Sequence, residues 1–246
     1  MNKQQIIDYI RSMDTKSLRD FENEYQKSRW ADAGLPADTF WPVFAPIPSK
    51  RKGDIWEEMY VEHCVSLTER VDRWHDATLS LPAENYEQQV ANGFKGLPTS
   101  RIEIKYTAIA HGDSNDEQSV RGYAEELSNR VKIIDPKTVK TQKQAGGSFQ
   151  QIHPDNAHYG LFSAVYGNGA VHYWVPYHLI SKTAGKQNLQ EGKILLSSQH
   201  HGGTVEGQIN LTKRFHELFF LDYTVGTLFI TDLSKYNLAK YETIVV

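Results

Sequence analysis

From Arg101 to Ala108 the odd positions are polar and the even positions apolar. That period of two belongs to a β-strand with one face against a core. It puts the acid of Glu103 and the ammonium of Lys105 on the same side. Two such groups on one strand face can hold a hard cation with a water beside it, the arrangement that hydrolysis of a phosphodiester uses. The same tripeptide also serves as an ordinary solvated ion pair, so the rest of the chain has to decide.

Around this strand the pattern changes period several times. Residues 3–13 and 17–30 have apolar side chains at helical spacing, and a proline-punctuated crossing with Phe40, Trp41 and Phe44 follows. Gly53 opens a further helix whose stripe runs through Trp56, Met59 or Tyr60, His63 or Cys64, Leu67, Val71 and Trp74. Glu57 lies one step off that stripe, beside Tyr60, Val61 and Cys64. An acid there either snorkels at the edge of the core or turns toward a site. A turn-rich region spans residues 81–98, and a helix is expected over 119–134. Two aromatic-rich runs, 157–166 and 171–180, flank Gly167-Asn168-Gly169, a hairpin signal. Further strands are expected near 193–198, 204–211, 225–231 and 241–246. The sum is an α/β (α+β) chain with a mixed central sheet flanked by helices. A single domain over 1–246 is expected, with 1–48 a helical region and 185–246 a C-terminal recognition region.

The hydrophobic share of 39% and the charged share of 23% suit a packed globular core. A net charge of -3 argues against binding nucleic acid through bulk basicity but leaves room for a local basic cleft. The single cysteine, Cys64, excludes an intrachain disulfide or a four-cysteine zinc site. The first residues lack the apolar run of a signal peptide, and no window is long and apolar enough for a membrane span, so a cytoplasmic location is expected. No phosphate-loop or dinucleotide fingerprint occurs, and no nucleotide cofactor is expected.

A hydrolytic site would need a second acidic ligand near Glu103. The upstream acids are Asp72, Asp76, Glu84 and Glu87. Asp76 sits in Trp74-His75-Asp76-Ala77, either at a helix end, where its carboxylate would be solvated, or at the start of a paired strand. The helix end is the reading preferred here. Gln199, His200 and His201 precede two glycines, a composition suited to an exposed loop that reads base edges or touches phosphates, or to a plain turn between strands. Basic residues gather at Lys50–Lys52, Lys132–Lys143 and Lys213-Arg214, where they could track a phosphate backbone or simply be solvated.

With Gly53 four positions before Glu57, then Glu103-Ile104-Lys105, then Phe149-Gln150-Gln151-Ile152 leading into Tyr159-Gly160-Leu161-Phe162, the chain resembles the PD-(D/E)xK nuclease superfamily, and within it the type II restriction endonucleases. The resemblance covers roughly residues 50–180. It implies a restriction-endonuclease-like fold and Mg2+-dependent, sequence-specific cleavage of double-stranded DNA by a homodimer. It implies Glu103 as a metal ligand, Lys105 acting on the attacking water and Glu57 supporting the site through its helix. The first acid of the motif has no clear counterpart. Asp76 has acceptable spacing but no preceding proline, and it is the candidate for that metal ligand. Outside this reading stand a repair nuclease of the same fold, a non-catalytic DNA- or protein-binding module, and a metal oxygenase using His172 and His178.

Overall fold

The computed structural model describes residues 49–70, 75–109, 134, 144–181, 194, 197–201 and 204–246. The expected helices over 3–13 and 17–30, the one over 119–134 apart from residue 134, the stripe positions Val71 and Trp74, and Lys137, Lys140 and Lys143 lie outside the described residues.

A six-stranded sheet forms the centre, in the order β1 (Leu67–Glu69), β2 (Ala77–Leu79), β3 (Arg101–Ala108), β5 (Tyr159–Tyr166), β6 (Gly169–Pro176) and β9 (Phe220–Val225). β3 and β5 run parallel, and every other neighbouring pair is antiparallel. The expected mixed sheet is therefore present, mostly antiparallel. A second sheet orders β4 (Gln144–Ile152), β8 (Thr204–Thr212) and β7 (Ser197–His201), all antiparallel. Three α-helices are described: α1 (Ser49–His63), α2 (Ala83–Ala91) and α3 (Lys213–Phe219). None is long and apolar enough to cross a membrane.

The hairpin β5–β6 is buried along all sixteen residues, which explains its near-continuous apolar sequence. Its two-residue turn is Gly167-Asn168, because Tyr166 pairs with Gly169. Gly169 is required for another reason: a Cβ there would stand 2.0 Å from the Thr224 carbonyl oxygen of β9. The layers follow from side-chain alternation. On one face Trp56 of α1 packs on Tyr106, and Tyr60 packs on His172. On the other face Phe149 of β4 and Phe215 of α3 pack on Phe162 and Tyr173.

Four local expectations are corrected. The α1 stripe stops at His63, and Leu67 lies on β1. The helix ends because Ser66 is claimed from far along the chain: its hydroxyl donates to Asp232 at 2.7 Å and accepts the Leu233 N–H at 2.9 Å. The region 81–98 contains α2, whose inward face carries Gln89, a polar residue that breaks the apolar period. Gln89 is buried because its amide accepts the Leu238 N–H at 3.0 Å and donates to the Tyr236 carbonyl. The strands expected over 225–231 and 241–246 are absent, since β9 ends at Val225, Gly226 follows with φ +80°, and a 3-10 turn spans Leu238–Tyr241. Finally, Phe149–Ile152 belongs to β4 of the second sheet and does not run on into β5.

Candidate functional site

β3 presents Glu103 and Lys105 on the face that also carries Gly160 and Phe162, their partners across the parallel ladder to β5. On that face β4 and α3 pack against Phe162, and the polar side of β3 is only partly exposed. Glu103 is only 5% exposed. The Lys105 ammonium stands 3.2 Å from Glu103 Oε1 and 3.8 Å from Asp76 Oδ2. The other Glu103 oxygen accepts the hydroxyl of Tyr177.

Asp76 is not at a helix end. It immediately precedes β2, and its N–H donates to the Ile102 carbonyl at 3.0 Å. Its carboxylate accepts the Ile104 N–H at 2.7 Å, which turns it toward Lys105. Pairing of β2 with β3 therefore does what sequence spacing could not show: it brings residues 76 and 103 to one ammonium.

Glu57 completes the charge cluster from α1. Burial, with the Asp76 charge adding to it, pushes its carboxyl up to about 8, against the opposing pull of Lys105. Burial likewise raises Glu103, and Lys105 and the Tyr177 hydroxyl moderate that shift. Burial alone would lower Lys105, but Glu103, Asp76 and Glu57 outweigh it and hold the ammonium protonated. A cavity of about 810 Å³ opens beside the cluster, lined by Asp54, Glu57, Glu58 and Glu62 of α1 and by Glu69, Arg70 and Asp76. Glu57 lies on the wall of this cavity.

No family model, curated protein or solved structure matches this chain.

Among the described residues no three His, Cys, Asp or Glu side chains already form a metal-ligand set. The donor chemistry nevertheless suits a hard divalent cation. Asp76 and Glu103 offer carboxylate oxygens, and the charge they converge on here is a cation, the Lys105 ammonium.

The remaining candidates are not joined to this cluster by any described contact. Gln199, His200 and His201 lie on β7, opposite Glu206, Val205 and Thr204, so they form a strand and not the expected loop. Their side chains, and Gly202-Gly203, lie outside the described residues. Lys213 and Arg214 are exposed in the first turn of α3, where Lys213 meets Glu217 at 3.4 Å and Arg214 donates to the Val245 carbonyl at 3.4 Å. Of the basic run before Glu57, Lys52 is held at about 8 by burial.

The histidines of the oxygenase reading do not converge. His172 is fully buried with both ring nitrogens engaged: Nδ1 with the Tyr60 and Ser163 hydroxyls at 2.7 and 3.2 Å, Nε2 with Thr224 at 3.2 Å. His178 faces a different acid, Glu242, at 3.8 Å. The residue that sequence reasoning missed is Tyr177. It lies 74 positions from Glu103, and only the strand order brings the two together.

Proposed function

We propose that this chain is a Mg2+-dependent nuclease that hydrolyses phosphodiester bonds of double-stranded DNA, acting as a site-specific endonuclease of the type II restriction class and as a homodimer on a two-fold symmetric target. The observation that carries the reading is the convergence of Asp76 and Glu103 on the Lys105 ammonium, with Glu57 in electrostatic reach and with Asp76 and Glu57 lining an open cavity.

Asp76 and Glu103 would hold the ion, which when bound supplies charge withdrawal from the phosphate and a lowered pKa for water. Lys105 stays cationic, so its role is to donate: it orients the attacking water and offsets charge gathering on the phosphate oxygens. The water oxygen bonds to phosphorus, the bond to the departing sugar oxygen breaks, and that oxygen takes a proton. Without the ion, burial keeps Glu57 protonated up to about pH 8; the charge of a bound cation would favour its carboxylate, which would then accept the proton the water loses.

The test is purified full-length protein with Mg2+ on mixed-sequence duplex DNA. Discrete fragments are expected from the wild type. Glu103→Gln and Lys105→Ala should lose cleavage while still retarding DNA in a gel. Wild-type protein that leaves every such substrate intact, with Mg2+ or Mn2+, refutes the proposal.

A further inference from the structure

Glu103 is a buried carboxylate, and a buried carboxylate is useful to a site only if its oxygens are aimed. Its Oε1 faces Lys105. What sets that orientation is the occupant of the other oxygen, the hydroxyl of Tyr177. Tyr177 begins the 3-10 turn that follows β6, and its N–H is tied to the His158 carbonyl at 2.9 Å. Its ring is buried and meets Phe162 edge-on at 6.3 Å.

The ring reaches Glu103 because of a gap in β5. Gly160 is the residue directly across the ladder from Glu103. A Cβ at Gly160 would stand 2.8 Å from Tyr177 Cε1 and 2.5 Å from Phe162 Cε1. Either distance is too short for real atoms, so the phenol occupies the space that a side chain at 160 would take. Gly160 also interrupts a fully buried strand, where glycine costs stability and marks a close approach.

We propose that Tyr177 is the positioning residue of the site: led across Gly160, its hydroxyl fixes one oxygen of Glu103 and thereby turns the other toward Lys105 and Asp76. This rests on the reading of Glu103 as a ligand of the divalent ion. Outer groups that orient a ligating carboxylate typically contribute ten- to a hundredfold in metal affinity.

The experiment is a Mg2+ titration of the full-length protein, followed by the thermal unfolding midpoint and requiring no DNA. Tyr177→Phe keeps the ring and its packing and should weaken apparent Mg2+ affinity about tenfold or more. Gly160→Ala, which displaces the ring while keeping the hydroxyl, should weaken it in the same direction. A Tyr177→Phe titration that superimposes on wild type overturns the proposal. A metal-free cycle of Tyr177→Phe with Glu103→Ala, read by urea unfolding, separates this failure from that of the nuclease reading. Coupling of tenfold or more in the unfolding constant is expected, and coupling below twofold overturns the contact itself. Wild-type protein whose midpoint ignores Mg2+ overturns the metal-ligand role on which both readings stand.

Discussion

Replacing Glu57 by Gln should stabilise the protein, and the gain should grow with pH. The Glu57 carboxyl is raised from 4.5 to about 8, chiefly by burial. Its folded pKa therefore lies above its unfolded one. Below pH 4.5 both states are protonated and the group contributes nothing. Between 4.5 and 8 the unfolded chain ionises while the folded one stays neutral, so stability falls as pH rises, by up to about 1.4 kcal/mol per unit. From pH 5 to pH 7 the loss is about 2.5 kcal/mol, or roughly 5–10 °C of unfolding midpoint for a chain of this size. Gln is nearly isosteric and does not ionise, so it removes this slope. Urea unfolding of wild type and Glu57→Gln at pH 5, 6 and 7, with chelator present, reads the difference directly. The stability gap should widen by about 2–3 kcal/mol across that range. Mg2+ added at pH 7 should narrow the gap again, since a nearby cation favours the ionised acid. A gap that stays constant within about 0.5 kcal/mol from pH 5 to 7 would refute the placement of Glu57 in a desolvated acidic cluster.

Other variants separate chemistry from folding. Asp76→Asn keeps an oxygen for the Ile104 N–H, so unfolding free energy should change by about 1 kcal/mol or less, while Mg2+ binding and cleavage are lost. Lys105→Ala leaves the Glu103 carboxylate buried without its counter-charge and should cost about 3 kcal/mol in chemical denaturation. Combining it with Glu103→Gln should recover a good part of that loss. His172→Ala removes a ring that satisfies Tyr60, Ser163 and Thr224, and should cost about 3 kcal/mol while leaving the Mg2+ response unchanged. A lost Mg2+ response in that variant would bring His172 back as a site residue.

How much of this was legible in the sequence depended on whether the deciding contact was local. The β3 alternation and the helical stripe through Trp56, Met59 and Tyr60 are local patterns; β3 forms over the alternating segment, and α1 carries those three residues although it starts at Ser49, before Gly53, and ends at His63. The hairpin also forms, with its turn one residue before the Asn-Gly pair. Periodicity failed where a distant partner overrode it. Ser66 ends α1 for the sake of Asp232 and Leu233, and Gln89 is buried to serve Tyr236 and Leu238. The site divides in the same way. Glu103 and Lys105 can be paired from their spacing, because a strand puts alternate side chains on one face. Asp76 reads as ambiguous in sequence because its role depends on pairing between β2 and β3. Tyr177 and Gly160 carry no local signal, since each matters only through what the other leaves open.

The charge of the cavity constrains how such a protein could meet DNA. Among the described residues, six of its seven charged lining residues are acids, and Arg70 is the one base. A phosphate backbone brought against that wall meets repulsion that falls off over a Debye length of about 8–10 Å at physiological salt. The exposed bases at Lys213 and Arg214 stand on α3, which covers the same face of the sheet as Glu103. On the proposed function, attraction and catalysis are therefore carried by different parts of the surface, and the acidic wall admits a phosphate only when a divalent cation accompanies it. Chelator should then weaken DNA binding by wild-type protein, and Asp76→Asn with Glu58→Gln, which removes two of the acids, should bind DNA more tightly than wild type in its presence. Cutting would still be lost. Tighter binding without turnover separates a wall that selects for the cation from one that merely tolerates it.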